Sequence, residues 1–486
     1  MLEQNKKIWF NIISIFFILL NSVFIIMENY TLLIAPIVLL FAYLVFFKLD
    51  TLLKIIIFFV PLSIELIEFK PGISFSMALP TEPILFGVLL IFILRLFYDG
   101  GFDKRILKHP VSYAILFYLS WTFITVLTST HPMVSAKFLL GQLWFIATFY
   151  FIATQFFRNQ KNMNQFFWLY CSGFSFVLVY TIIMHYGRGF DQETANWIMS
   201  PFFNDHTSYG AAIAFFLPFL TGKLFSNKII GTKKLLLFLF YALFITALVL
   251  SYTRAAWISL IGALGIYFIL KLKIKGWIIF SVGIVVAITL AFSWNQIMLS
   301  LESNKQDSST NLKEHVSSIS NVSSDASNLE RINRWKSAFE MFKEKPLLGW
   351  GPGVYAFEYA PFQKSSDKTI ISTNSGDAGT AHSEYLGPLA ESGVLGFVAI
   401  ITIVTTTLFT GIRVYKKLPD GELRVIAISA VLGLITYYIH GGLNNFLDTD
   451  KISAPFWCFT AIIVVLDVYY VKNLKPDTQN FINSKT

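Results

Sequence analysis

Four side chains in this sequence are of types that could carry group-transfer chemistry: Arg254, Arg331, Arg334 and His382. Arg331 and Arg334 stand three apart in SNLERINRWKSAFEMFKEKP, so a helix there puts them on neighbouring turns, within reach of one ligand. Two planar guanidiniums one turn apart suit a phosphate or diphosphate, because each fork can donate two hydrogen bonds to a pair of oxygens. The same spacing also fits an amphipathic helix whose polar face is only solvated. Arg254 lies in VLSYTRAAWISL, between two apolar runs. A guanidinium at the centre of a span costs about 2.5 to 3.5 kcal/mol on insertion scales. Arg254 is therefore expected at an interface, beside a cavity or against a partner, with snorkelling to lipid head groups as the plainer alternative. The His382 imidazole titrates near neutral pH and could take a proton from a hydroxyl nucleophile at a wet membrane boundary. A capping histidine would look the same. With no Cys or His at ligand spacing around it, and Glu384 expected on a different side, no metal site is predicted.

These residues need elements to hold them. Ser327 and Glu330 fit a capping box opening a helix near 328 to 345. Ile332, Trp335, Phe339 and Phe342 recur at spacings of three and four as one apolar stripe. Pro346 cannot continue the hydrogen-bond ladder, so the helix should stop before it. GWGPG, Gly349 to Gly353, then forces a turn. On either side lie polar stretches, a tether at 300 to 327 and a bridge at 364 to 380 that could act as a flap. His206 in SPFFNDHTSYG and His440 and Asn445 in YYIHGGLNNFLD fall near the outer ends of apolar runs. They could position a polar substrate, with Asp205, Asn444 and Asp448 at the same depth.

At 486 residues with 55% hydrophobic and 14% charged side chains, the chain lies outside the composition of a soluble globular protein. An all-α polytopic membrane protein is expected, with about 12 to 14 transmembrane helices. The apolar runs fall near 8–27, 31–47, 52–67, 82–98, 111–128, 137–157, 166–185, 207–226, 235–251, 255–270, 276–294, 386–411, 425–443 and 452–471. The first follows Lys6 and Lys7 without a small-residue cleavage site, which reads as a retained signal anchor. Alternating the spans collects twenty-four Lys and Arg on one side against five in the short loops of the other. Both termini are therefore expected in the cytoplasm. Three parts follow: a bundle at 1–294, an extracytoplasmic loop at 295–385, and C-terminal helices at 386–471 with a cytoplasmic tail at 472–486. The net charge of +9 reflects this topology and gives no reason to expect nucleic-acid binding. Cys171 and Cys458 sit inside apolar runs and read as core residues.

SYTRAAW, Arg331 with Trp335 four residues on, KEKPLLGWGPGVY and AHSEYLGPLAESGVLG, with FFNDH and IHGGLNNFL more loosely, occur in the order found in a known family. Over roughly 200 to 460 the chain resembles the O-antigen ligase and polymerase superfamily of bacterial envelope glycan transferases. The resemblance implies a GT-C-like fold with a large extracytoplasmic loop and a glycan donor carried on a polyprenyl diphosphate such as undecaprenyl diphosphate. It also implies a hydroxyl acceptor on lipid A core, a growing glycan or a protein, with no cofactor, at the periplasmic face of the inner membrane. Arg254 and Arg331 match the family's diphosphate-binding arginines and His382 its catalytic histidine, whereas Arg334 is added from helix geometry alone. Ser383 stands where an asparagine usually follows the histidine. A transporter of the same lipid-linked glycan is the reading outside this class. Transporters of this size usually show internal repeats and mid-membrane ionisable groups, and neither is clear here.

Overall fold

In a computed structural model the described residues are 2–29, 31–69, 77–98, 102–226, 229–275, 326–365, 368, 372 and 379–472. The expected span at 276–294, nearly all of the tether and most of the bridge at 364–380 lie outside them. The chain divides into two compact units, Met1–Ile56 and Ile57–Thr486. In the first, α1 (Leu2–Ile26) is largely apolar beyond its first turns and α2 (Ala35–Phe47) apolar nearly all round, and side chains such as Trp9, Phe16 and Leu39 stand exposed. Such a surface fits a solvent of lipid. The third helix, α3 (Leu49–Phe59), crosses the boundary between the units.

The expected span at 52–67 is broken. After α3 the chain passes into a short 3-10 turn at Val60–Leu62, where Pro61 removes a backbone donor. It then pairs Ile64 with Leu79 and Glu65 with Ala78 as a small antiparallel ladder.

In the second unit, long apolar helices follow: α4 (Thr81–Tyr98), α5 (Pro110–Leu127), α6 (Pro132–Phe156), α7 (Gln160–Tyr186), α8 (His206–Leu224), α9 (Thr232–Leu250) and α10 (Arg254–Lys271). After them come the loop helix α11 (Ala326–Glu344) and α12 (Leu386–Lys417), α13 (Glu422–His440) and α14 (Asp450–Val471). Nine of the described helices, α8 and the first unit's helices not among them, are long and apolar enough to cross a membrane. The protein is an all-α polytopic membrane protein.

The last two spans form the centre. Every residue from Asp450 to Val465 is buried, and α13 packs against α8, α10, α12 and α14. Phe167 stacks on Phe219 with ring centroids 4.2 Å apart, and Tyr170 on Phe216 at 4.3 Å, while Phe459 closes the group from α14. Cys171 and Cys458 are buried in this core as free thiols. The outer helices α4, α9 and α10 turn apolar residues such as Phe97, Leu236 and Ile261 outward.

The assigned helix α12 holds a kink at Gly393 (φ 68, ψ −167). An L side chain there would put its Cβ 2.2 Å from the Leu347 carbonyl oxygen, so only glycine fits. The kink exists because the loop after α11 lies across it. Val394 N–H donates to Pro346 O at 2.9 Å, Gly351 N–H to Glu391 O at 2.8 Å, and Trp350 N–H to Ala390 O at 3.2 Å. On its other side the GWGPG turn is held by Thr130, whose N–H and Oγ1 both donate to Trp350 O, and by Ser135 Oγ, which donates to Pro352 O at 2.8 Å. Glycines at 349, 351 and 353 all take positive φ in this turn. The loop after α11 is thereby tied to the end of α5 and to the starts of α6 and α12.

Candidate functional site

The polar break in SYTR does divide two helices. α9 ends at Leu250, Tyr252 takes a left-handed φ of 50°, and α10 begins at Arg254. Thr253 Oγ1 donates to the His206 carbonyl at 2.7 Å, which fixes this turn to the start of α8. There Asp205 caps α8 by accepting from Thr207 N–H at 2.7 Å and Ser208 N–H at 2.8 Å. FFNDH and SYTR, about 50 residues apart in sequence, are thus one local structure. His206 contributes its carbonyl to that lock.

α11 begins at Ala326 and stops before Pro346, close to the expected bounds. Its interior face is not the expected one. Glu330, Asn333, Arg334, Ser337, Ala338 and Met341 are buried, while Phe339 is 47% exposed and Ile332, Trp335 and Phe342 are half-buried. The polar residues can go inside because most of their polar atoms find partners. Arg334 Nε donates to Glu330 Oε1 at 2.8 Å, its Nη1 to Thr380 O at 3.2 Å, and its guanidinium lies 5.2 Å from the Tyr359 ring centre. Asn333 Nδ2 donates to Gln363 Oε1 at 2.9 Å, and Ser372 Oγ donates to Glu330. Glu330, expected in a capping box with Ser327, accepts from Arg334, and the Ser327 side chain lies outside the described residues.

Arg331 leaves the same helix differently. Its Nε donates to Leu443 O at 3.2 Å, in the segment after α13. Burial pushes its pKa down to about 10, the Arg254 charge adds to that effect, and Asp205 opposes it. The two arginines expected to bind diphosphate therefore lie within electrostatic reach of each other, with Asp205 facing Arg331.

His382 has a left-handed φ of 47°, an uncommon conformation for a residue with a Cβ. Its N–H donates to Thr380 Oγ1 at 3.3 Å, and its carbonyl accepts from Trp335 Nε1 at 3.4 Å. The pKa is pushed down to about 4, first by burial and then by Arg331 and Arg334, against Asp205 and Glu330. The imidazole is therefore neutral at pH 7, able to accept a proton. His382 lines a cavity of about 600 Å³ together with Asp205, Asn444, Asn445 and Asp448. Arg254, Arg331 and Arg334 do not line that cavity; Asp205 and His382 connect it to them.

Asn445 lines the cavity, and its Oδ1 is buried with no hydrogen-bond partner among the described residues. His440 is buried between the Tyr437 and Phe446 rings, with Nε2 3.1 Å from Asn444 Nδ2, and belongs to the wall behind it. Among the described residues no group of three His, Cys, Asp or Glu is placed to hold a metal ion.

Several residues of the site were not picked out by sequence. Glu384 Oε1 accepts from Tyr437 Oη at 2.5 Å, Phe446 N–H at 2.6 Å and Leu447 N–H at 2.9 Å, and Glu384 N–H donates to Gly441 O at 2.7 Å. It fastens the His382 segment to the segment after α13. Asp450 accepts from Ser63 Oγ at 2.7 Å and Thr81 Oγ1 at 2.5 Å, and Lys451 Nζ donates to Ser63 Oγ at 2.7 Å; both head groups lie on the cavity wall with Glu82 and Lys137. The available signal was a pair of charges, Asp450 and Lys451, in the first turn of an apolar run.

Residues 239–401 match the family model described as O-Antigen ligase, a segment that contains Arg254, Arg331, Arg334 and His382. An uncharacterized protein of Haemophilus influenzae is 24% identical over 215 residues, covering 44% of this chain and 52% of the relative. The match thus spans about half the length of that relative.

Proposed function

We propose that this protein, a member of the O-antigen ligase superfamily, transfers a glycan from a polyprenyl-diphosphate carrier to a hydroxyl acceptor on the outer side of the inner membrane. The acceptor in this reading is lipid A core, which makes the reaction a ligation. The observation that carries the proposal is a neutral, half-buried His382 on a large cavity, within electrostatic reach of Arg331, which is in turn within electrostatic reach of Arg254. The acceptor oxygen attacks the anomeric carbon while its proton passes to His382, and the carbon–oxygen bond to the diphosphate breaks with inversion. The electron pair stays on the departing diphosphate. Arg254 and Arg331 stabilise that charge, and their fixed positive charge performs this step without a further group. Asn445, with a buried carbonyl oxygen to satisfy, suits a sugar hydroxyl.

The side of the membrane follows from charge. The cavity lies beyond one end of α5, α12 and α14, and the opposite ends carry Lys104, Lys108, Arg413, Lys416, Lys417 and Lys472. By the positive-inside rule the cavity faces the periplasm and the basic ends of these three spans face the cytoplasm.

The direct test is His382→Ala, assayed for glycan transfer in membranes after confirming insertion and an unchanged melting profile. Transfer should be lost, and a wild-type rate would overturn the base assignment. Envelope glycans of a deletion strain identify the acceptor. Polymer accumulating on the carrier with uncapped lipid A supports ligation. Single repeat units in place of long chains would make the protein a polymerase, and lost protein glycosylation alone a protein transferase. Carrier-linked glycan still present on the outer face distinguishes all three from a transporter, whose loss would empty that pool.

A further inference from the structure

A second cavity, of about 400 Å³, lies at the other end of the bundle from the candidate site, lined by Lys104, Arg105, Lys108, His109, Arg413, Asp467 and Lys472. Three spans connect the two ends. α5 starts beside His109 and ends where Thr130 holds Trp350. α12 starts after His382 and passes Arg413 in its last turns. α14 starts with Asp450 and Lys451 on the first cavity and ends at Lys472.

Five cations face one carboxylate in this second cavity, and several are held in place. Arg413 Nη2 lies 2.8 Å from the buried Asp467 Oδ2. His109 Nδ1 accepts from Val111 N–H at 3.2 Å, so the ring proton sits on Nε2, 3.4 Å from the same Asp467 oxygen. Arg105 grips Asp103 with Nε at 3.2 Å and Nη2 at 3.0 Å, and lies 4.7 Å from the Tyr469 ring centre. Arg158 Nη2 also meets Asp103, at 3.0 Å, and lies 5.0 Å from the same ring. Tyr469 and Asp467 come from a π-helical end of α14, Leu466–Val471, a distortion that often accompanies functional sites. Among the described residues Lys104 and Lys108 make no ion pair, and both are exposed.

We infer that this cavity binds the phosphate head group of an anionic phospholipid in the leaflet opposite the transferase site. Fixed guanidiniums beside free lysines form a receptor for a phosphodiester, and basic pockets between spans are a recurrent form of such sites. The flanking surface favours a lipid over a free anion. Phe409, four residues before Arg413 and so on the same face of α12, is 76% exposed, and Tyr113, four residues after His109 on α5, is 56% exposed. An acyl chain descending from a bound phosphate meets an apolar path there.

The test uses the full-length protein in detergent, with phosphatidylglycerol, phosphatidylcholine or inorganic phosphate added and binding followed by native mass spectrometry and by melting temperature. Phosphatidylglycerol should bind and raise the melting temperature, whereas phosphatidylcholine and inorganic phosphate at the same concentration should not. Lys104→Gln with Lys108→Gln should weaken phosphatidylglycerol binding by roughly tenfold or more. Lys233→Gln with Lys234→Gln, at the start of α9 and also exposed, removes the same charge elsewhere and should leave binding within about twofold. Both pairs should melt like wild type in phosphatidylcholine. The inference is overturned if the Lys104 and Lys108 pair binds phosphatidylglycerol as wild type does, if the two pairs weaken it equally, or if inorganic phosphate stabilises the protein as well as the lipid does.

Discussion

Glu384 is the residue whose replacement should disturb the candidate site most without touching a reacting atom. One oxygen, Oε1, receives the Tyr437 hydroxyl and the Phe446 and Leu447 amides. Glu384→Ala leaves these three donors without an acceptor, and each buried unsatisfied group costs about 1 to 3 kcal/mol. The loss is then about 3 kcal/mol if water enters and relieves most of it, and about 9 kcal/mol if none does. Glu384→Gln keeps an oxygen in the same place, so it should cost no more than about 1 kcal/mol. Charge gives a second handle. Burial raises the Glu384 carboxyl from 4.5 to about 7, against the hydrogen bonds from Tyr437 and Leu447. A group whose folded pKa is raised contributes stability that is fully present below pH 4.5 and is lost as pH rises through 7. For this shift the loss is about 3 kcal/mol by pH 9, and the glutamine variant should not show it. The assay is thermal unfolding of detergent-solubilised protein between pH 5 and 9. At pH 6, alanine should lower the melting temperature by about 5 °C or more, and glutamine should stay near wild type and lose less stability at high pH. If glutamine falls as far as alanine, or alanine melts like wild type, the three hydrogen bonds do not hold the two segments together.

Other consequences are separable by the assay that reads them. His382, lowered to about 4, should give kcat/KM for transfer an acid limb near pH 4. The limb in kcat should lie higher, because bound diphosphate offsets the charge of Arg331 and Arg334; coincident limbs would remove the arginines as a cause. Arg331→Lys should reduce transfer by about 100-fold, as expected for loss of a donor to developing charge, and by losing the Nε bond to Leu443 O should also cost about 1 kcal/mol of stability. Arg334→Lys should lower the melting temperature further, since it loses both the Nε contact to Glu330 and the contact to Thr380. Thr253→Val removes the bond to the His206 carbonyl and should cost about 1 kcal/mol of stability in the same unfolding assay.

What was legible in the sequence was local. The SYTR break is legible because four polar residues, Ser251 to Arg254, interrupt an apolar run, and the end of α11 reads directly because Pro346 cannot propagate a helix. The grouping of Arg254, Arg331 and His382 came through the family resemblance, and the structure places them in one electrostatic neighbourhood. The inward face of α11 was misread because hydrophobic periodicity assumes that polar groups stay in water. Here Glu330, Asn333 and Arg334 find partners at Thr380, Gln363 and Ser372, none of them adjacent in sequence. Asp450 escaped for the same reason, since its partner Ser63 lies 387 residues away. Pro61, inside an apolar run, was the one local sign that the span at 52–67 would not hold.

The enclosure of α14 bears on how copies of this protein could meet. From Asp450 to Val465 that helix has no face turned away from its own chain, so it offers nothing to a neighbour in the plane of the bilayer. Any lateral assembly must use other surfaces, and crosslinks placed along 450–465 should report contacts within one molecule whatever the oligomeric state.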